Sequence, residues 1–224
     1  MGIIKQIMTK VLCFGDSNTW GTRPEAGRYD EAQRWTSLLA GDLNFAGHNV
    51  EVIEAGQPNR TLVHNSPFYG DKSGVSYLKP LLAQHQPDVI ILLLGTNDLK
   101  AKFNLSALDI ALAAAELITQ VQTFVQSGVV GTSPIKVLLI SPPVIKEVGA
   151  YKTIYRGGRA KSEILADEYS KQAIRLGCHF FDANEVITSS ELDGIHWGAC
   201  EHKKLAKRLS SILLVILKQK KAER

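Results

Sequence analysis

Val11-Leu12-Cys13-Phe14-Gly15-Asp16-Ser17-Asn18 is the stretch around which the chain is arranged. Its first four residues are apolar without alternation, and a polar turn, Thr19 to Arg23, follows it. A short apolar run bounded by turn residues reads as a buried strand, with Ser17 held at its carboxyl end. In open α/β sheets the ligand crevice lies outside the carboxyl ends of the strands, so a hydroxyl there faces a substrate rather than the core. Ser17 is therefore a candidate nucleophile. Taken alone, a serine in this place is more often a turn residue, a helix N-cap or a phosphate-cradling hydroxyl. The rest of the chain has to supply a base, an orienting acid and donors for an oxyanion.

Working outward, the same strand-and-turn pattern recurs. Val50 to Ala55 stops at Gly56, and Val89 to Leu94 runs apolar on consecutive positions into Gly95-Thr96-Asn97-Asp98. Ile135 to Ile140 stops at Ser141-Pro142-Pro143, and Cys178 to Phe181 leads to the loop holding Asp193 and His196. Consecutive apolar residues are what a parallel strand covered on both faces requires, and proline cannot continue a central ladder.

Helical spacing fills the gaps. It places Trp35, Leu38, Leu39 and Leu43 on one face, then Tyr77, Leu78, Leu81 and Leu82 in a short helix with Pro80 in its first turn or bending it. Ser106 and Asp109 resemble a capping box opening a helix through Leu108, Ala111, Leu112, Ala115, Ile118, Val121 and Val125, closed by Gly128. A helix from about Ala160 to Leu176 ends at Gly177, and the last one uses Leu205, Leu209, Ile212 and Ile216. Gln57 to Gly74 is too irregular for helix or strand and reads as a functional loop. Strand and crossover helix in alternation argue a parallel sheet with helices on both faces, in three layers. One domain, 1–224, accounts for the whole chain, with 1–9 and 218–224 as peripheral tails.

Composition agrees with a compact enzyme-sized domain: of 224 residues, 45% are hydrophobic and 21% charged, well away from disordered compositions. The net charge of +4 owes much to Lys218, Lys220, Lys221 and Arg224, read as a solvated end and assigned no binding of nucleic acid or membrane. Cys13, Cys178 and Cys200 are too widely spaced for a zinc site and read as free thiols in a reducing compartment. Met1 to Lys10 lacks the apolar core of a signal peptide, and no apolar run of about 18 residues is evident. The expected location is the cytoplasm.

The chemistry lies where the strand ends converge. Ser17, Gly56 and Asn97 follow the first three strands, and Asp193-Gly194-Ile195-His196 follows the fifth. Among six histidines, His196 stands out because Asp193 precedes it by three positions across a glycine. A local turn can bring that carboxylate to one face of the imidazole, hold its tautomer and free the other nitrogen to take a proton from Ser17. A D-x-x-H pair can also ligate metal, but no further ligand stands at a suitable spacing. Developing oxyanion charge needs donors: the amides of Ser17 and Gly56 and the side chain of Asn97 are in range. Gly56 also reads as a plain turn glycine, and Asn97 as a turn or N-cap residue. Among Trp20, Trp197, Phe68, Tyr69 and Ile195 as pocket residues, Trp20 and Ile195 are favoured by their closeness in sequence to the proposed catalytic groups, and Asn18 adds a polar group beside the site.

In order and spacing, Gly15-Asp16-Ser17, Gly56, Gly95-Thr96-Asn97-Asp98 and Asp193-Gly194-Ile195-His196 resemble the four blocks of the SGNH, or GDSL-type, hydrolases. Within that family the chain is most similar to the arylesterase and acyltransferase branch, on Trp20-Gly21, Arg34-Trp35, Arg60-Thr61, Ser76-Tyr77-Leu78, Ser141-Pro142-Pro143 and Gly157-Gly158. It departs in having Asn18 where leucine is usual, and in lacking the second tryptophan and longer excursion between Thr22 and Arg34. The resemblance implies a flavodoxin-like α/β/α fold with five parallel strands. It implies a triad of Ser17, Asp193 and His196, an oxyanion hole of Ser17, Gly56 and Asn97, and no metal or cofactor. The implied reaction is hydrolysis of short-acyl or aryl esters through an acyl-enzyme, with acyl transfer to alcohols as a further outcome and a homo-oligomer as an allowed assembly. Two other readings stand beside it: a carbohydrate O-deacetylase with the same triad, and a non-catalytic phosphate- or sugar-binding module.

Overall fold

The computed structural model of the chain describes residues 8–64, 71–126 and 134–222. Its strands are β1 (Thr9–Gly15), β2 (Val50–Gly56), β3 (Val89–Leu93), β4 (Lys136–Ser141) and β5 (His179–Asp182). They form one parallel sheet in the order β2-β1-β3-β4-β5. Each strand runs close to the expected apolar stretch.

The consecutive apolar residues are explained by two covered faces. Leu12, Phe14, Ile90, Leu92 and Leu139 point to one side, where α3 (Gly74–His85), α4 (Ala107–Gln126) and α5 (Gly158–Leu176) pack. Val11, Cys13, Ile91, Leu93 and Leu138 point to the other, against α2 (Trp35–Phe45) and α6 (Ala199–Ala222). Each such side chain, fully buried, contributes about 1.5–3 kcal/mol. The result is the three-layer α/β/α arrangement with the flavodoxin-like strand order.

Several local expectations are corrected. Helix α3 starts at Gly74, so Pro80 lies in its interior and removes the N–H that would have met the Ser76 carbonyl. Tyr77 faces solvent instead of the core, its hydroxyl donating to the Asp71 carbonyl. The capping box forms, with the Asp109 amide donating to Ser106 Oγ and the Ser106 amide to Asp109 Oδ2. The helix it opens buries Ile110, Ala114 and Leu117, whereas Leu108 and Leu112 are 47% and 48% exposed. Over Ala107–Val125 this helix is long and apolar enough to cross a membrane by length and composition, contrary to expectation, and its inner face lies in the core against α3 and α5. Gly128, expected to close it, lies outside the described residues.

On α6, Leu213 rather than Ile212 completes the buried stripe. Nor are the expected tails peripheral throughout. Thr9 belongs to β1, and Lys220 is 7% exposed near the end of α6, its Nζ donating to Asp88 Oδ1 at 2.7 Å and to the Asp88 carbonyl at 3.1 Å. Asp88 Oδ2 also accepts from the Lys10 amide, so one carboxylate joins the starts of β1 and β3 to the end of α6.

The chain leaves β1 for β2 on one side and returns across it to β3 on the other. The carboxyl ends of β1 and β3 therefore flank the switch point, where doubly wound sheets hold their ligands.

Candidate active site

Just past β1, the chain turns directly into α1 (Ser17–Trp20), a single helical turn. Asp16 caps it, Oδ1 accepting from the Asn18 amide at 2.9 Å, and Gly21 closes it in a left-handed conformation. Ser17 is thus the first residue of a tight strand-to-helix turn at the switch point. Its Oγ lies 3.0 Å from His196 Nε2, and His196 Nδ1 lies 2.5 Å from Asp193 Oδ2.

The three-residue spacing works as a closed turn. Asp193 Oδ1 accepts from the amides of Ile195 and His196 at 3.1 and 3.0 Å, so both carboxylate oxygens are fixed. Burial pushes the Asp193 carboxyl up, and the hydrogen bonds from the His196 ring and from the His196 and Ile195 amides more than reverse it, leaving it below the ordinary carboxylate range. An ionised partner at Nδ1 keeps the proton there and presents the Nε2 lone pair to Ser17.

Neighbouring elements hold this loop in place. Asn18 Nδ2 donates to the Ile195 carbonyl at 3.0 Å, and the Lys146 amide donates to the Gly194 carbonyl at 2.8 Å. Gly194 has φ +82°, and a Cβ there would meet the Lys146 carbonyl oxygen at 1.8 Å, so no other residue fits.

Asn97 sits in a 3-10 turn, Thr96–Leu99, directly after β3. Its Oδ1 accepts from the Tyr155 hydroxyl at 3.2 Å and its Nδ2 donates to the Arg60 carbonyl at 3.0 Å. The amide orientation is thereby fixed, with a second Nδ2 hydrogen to spare on a residue that lines the same cavity as Ser17. Beneath it, the buried Arg60 guanidinium bridges the ends of β1 and β2, donating to the carbonyls of Gly15 and Ala55 and stacking 4.2 Å over the Phe14 ring. Burial lowers it to about 10.

Gly56 is placed differently from the expectation. The Gln57 amide donates to the Gly15 carbonyl of β1. Successive amides along a strand point to opposite edges, so that of Gly56 points to the outer edge of the sheet, away from Ser17. What Gly56 provides is room: a Cβ would meet Trp20 N at 2.2 Å and Thr19 C at 2.6 Å. The residue that reaches the cavity is Asn59, which lines it with Ser17 and Asn97. Gln57-Pro58-Asn59-Arg60 is a turn closed by the Arg60 amide on the Gln57 carbonyl at 3.0 Å, with Asn59 at φ +65°. Proline second and a left-handed asparagine third is the type II pattern, legible in the sequence and missed there. The third residue's amide projects outward from such a turn, and that of Asn59 donates to no partner among the described residues.

The cavity over Ser17 measures about 420 Å³. Ile195, Ile154, Tyr151 and Tyr155 form much of its wall, with Lys100 and Lys102 at its side. The Tyr151 ring meets that of His196 edge-on at 6.0 Å. Of the expected substrate residues only Ile195 lines the cavity. Asn18 is buried and ties down the Ile195 carbonyl, and Trp20 stacks under the Arg28 guanidinium at 4.6 Å. Trp197 belongs to the core under α6, while Phe68 and Tyr69 lie outside the described residues. A larger cavity, about 760 Å³ and lined by Lys146, Glu147, Arg159 and Glu163 among others, contains none of Ser17, Asn97 or His196.

A buried Ser–His–Asp relay beside convergent amide donors is the arrangement used for acyl transfer, and comparison with known proteins agrees. Residues 13–202 match the GDSL-like lipase/acylhydrolase family. The inhibitor-bound aryl esterase of M. smegmatis is 37% identical, with a TM-score of 0.86 over 92% of this chain and 99% of that one. A carbohydrate acetylesterase from Sinorhizobium meliloti is 32% identical, with a TM-score of 0.86 over 93% of this chain and 99% of that one. The lipase/acylhydrolase from Enterococcus faecalis shares the fold at 18% identity and a TM-score of 0.67, over 92% of this chain and 95% of that one. No curated protein matches. With most of its length in that match, and with solved relatives above 30% identity along nearly their whole length, the chain belongs to the GDSL-like lipase/acylhydrolase family.

Proposed function

We propose that the chain, a serine esterase by family, cleaves short-acyl and aryl esters through an acyl-enzyme on Ser17. One observation carries the assignment of roles: the Ser17 Oγ–His196 Nε2 distance of 3.0 Å in line with a 2.5 Å contact from Nδ1 to Asp193. Ser17 Oγ attacks the ester carbonyl carbon while His196 Nε2 takes its proton. The tetrahedral oxyanion accepts from the backbone amides of Ser17 and Asn59 and from Asn97 Nδ2. His196 then returns the proton to the departing alkoxide, leaving an acyl-Ser17. Water, deprotonated by the same nitrogen, attacks the acyl carbon, and His196 returns that proton to Ser17 Oγ as the acid leaves. Asp193 orients the ring and stabilises the imidazolium.

Aryl esters are put first because the wall is aromatic and aliphatic and the M. smegmatis relative is an aryl esterase. Acetylated carbohydrate is the second reading, favoured by the S. meliloti relative. The test is hydrolysis of 4-nitrophenyl acetate and of an acetylated sugar by the wild type and by Ser17→Ala, with circular dichroism on both proteins. Turnover that falls to the buffer rate in folded Ser17→Ala supports the mechanism, and the better substrate decides the class. Equal turnover by the two proteins removes Ser17 as nucleophile. Adding an alcohol to the same assay separates hydrolysis from acyl transfer, which we propose only as a side outcome.

A further inference from the structure

The cavity over Ser17 carries charge of one sign. Lys100 and Lys102 reach its wall from the segment just after Asn97, and among the described residues no aspartate or glutamate lines it. Lysines on a solvent-facing segment ordinarily extend into water, but here the chain is pinned to the rim, the Ala101 amide donating to the Ile154 carbonyl at 2.8 Å. Lys100 is half-buried. Its Nζ donates to a neutral group, Asn59 Oδ1 at 2.9 Å, and lies 5.8 Å from the centre of the Tyr155 ring. Burial and the neighbouring Lys102 lower its proton affinity to about 8. The carboxylates that pull the other way, Asp16 and Asp98, are buried and absent from the wall.

A partly desolvated ammonium with a second cation nearby favours the arrival of an opposite charge. An anion entering this cavity meets two cations and a hydrogen-bond donor at Lys100 Nζ, a few ångströms from the groups that bind the ester carbonyl.

We propose that Lys100 and Lys102 form a charge-selective subsite, and that the esters this cavity favours carry an anionic group, a carboxylate, sulfate or phosphate, remote from the scissile carbonyl. The proposal rests on the esterase reading above and adds the class of substrate. Because Lys100 also holds the side chain of Asn59, it acts in part on the oxyanion turn, and the two roles have different signatures. Loss of support for Asn59 slows every ester alike. Loss of the charge slows only the anionic ones.

Matched pairs of esters separate these effects. Charge on the leaving group is read with 3-acetoxybenzoate and its methyl ester, and charge on the acyl group with the 4-nitrophenyl half-ester of adipate and its methyl ester. The readout is the anionic-to-neutral ratio of kcat/KM in the wild type, in Lys102→Glu and in Lys100→Met/Lys102→Met, each checked by circular dichroism. Comparing ratios between proteins cancels the intrinsic reactivity of each ester. The expected result is a fall of about tenfold in that ratio in the double variant for at least one pair, the magnitude set by one to two charges at the edge of a screened site. The pair that responds identifies the side of the ester carrying the anion. In the wild type alone, the ratio for that pair falls as salt rises from about 20 mM to about 500 mM, where screening acts within a few ångströms. Turnover of the neutral esters with ratios unmoved by substitution or salt overturns the subsite and leaves the esterase standing. No serine-dependent turnover of any of the four esters overturns both.

Discussion

Asn97 has one task that its surroundings define. Its carbonyl oxygen is occupied by the Tyr155 hydroxyl and one amide hydrogen by the Arg60 carbonyl, so the group is oriented before any substrate arrives. Tyr155 is fully buried, and burial drives its phenol well above the ordinary range, so it remains a donor at any pH of interest. Asn97→Ala should therefore lower kcat by about 10²–10³, the usual loss for one oxyanion donor, with KM much less affected. Tyr155→Phe leaves Asn97 in place without its fixed orientation and should cost less, about three- to tenfold in kcat. Steady-state kinetics on 4-nitrophenyl acetate checks both; a Tyr155→Phe loss as large as that of Asn97→Ala would give the hydroxyl a direct part in the reaction. At this scale the sequence was informative where spacing implies geometry. Asp193 and His196 are three residues apart across a glycine, and the structure brings them to Ser17. It misled where the decisive fact was the direction of an amide. Gly56 ends a strand and looks like a backbone that can approach a substrate, but the alternation of strand amides turns its N–H outward, and Asn59 reaches the cavity from a turn that composition alone had left as undivided loop.

Between elements, the contact that matters most for the site is that of β2 with α1. The atoms a Cβ on Gly56 would meet, Trp20 N and Cα and Thr19 C, are all main chain of α1, which no rotamer change can move aside. Gly56→Ala must therefore displace α1, and Ser17 is its first residue. The expected outcome is a kcat at least tenfold lower together with a Tm about 2–8 °C lower, for an overpacking cost of about 1–3 kcal/mol. Gly41→Ala is the contrasting case. Gly41 lies inside α2 with open space at its Cβ position, so there the extra methyl should raise stability by about 0.5–1 kcal/mol. Thermal melts and kinetics on the two variants show whether Gly56 is a spacer, with opposite signs expected. If Gly56→Ala behaves as mildly as Gly41→Ala, the close approach is not maintained in solution. Elements were legible by the same logic of faces. Strands covered on both sides cannot alternate, and they did not. The phase of α4 was misread because Leu108 and Leu112 continue the apolar series onto its exposed side, and periodicity cannot distinguish an apolar residue left in water from one in the core. Lys220 was taken for a frayed end because its partner, Asp88, is remote in sequence.

The molecule as a whole carries two buried groups whose titrations oppose each other. The alternation of strand and helix made the layered fold legible, but burial of individual titratable groups depends on packing. His202 is an example: it stands three residues before Leu205 and seven before Leu209, on the inner face of α6, and was passed over as an ordinary histidine. Its Nδ1 accepts from the Trp35 amide at 3.3 Å, and burial, aided by Arg34 and His196, lowers it to about 4. The unfolded chain thus binds a proton that the native state refuses between about pH 6.5 and 4, so this group's contribution is intact above that window and is lost as pH falls through it. Asp16 acts in the reverse sense. Burial raises it to about 6, against hydrogen bonding from Asn18 and the pull of His196. The native state holds a proton that the unfolded chain releases between about pH 3.8 and 6, and stability falls as pH rises through that range. Each shift is worth on the order of 3 kcal/mol, so in the wild type the two slopes largely cancel between pH 4 and 6. Substitution should separate them. Asp16→Asn, whose amide oxygen can still accept from the Asn18 amide, should gain stability relative to the wild type as pH rises from about 4 to 6 and hold that gain at neutral pH. His202→Gln should show the complementary curve, its deficit shrinking as pH falls from about 6.5 to 4. Urea unfolding at a series of pH values measures both, and difference curves that stay parallel to the wild type, or slope the other way, would refute the assignment. A stability gain in Asp16→Asn also has a functional cost to look for. Above its titration the Asp16 carboxylate favours the His196 imidazolium that forms during acyl transfer, so the more stable variant should be the slower enzyme at neutral pH.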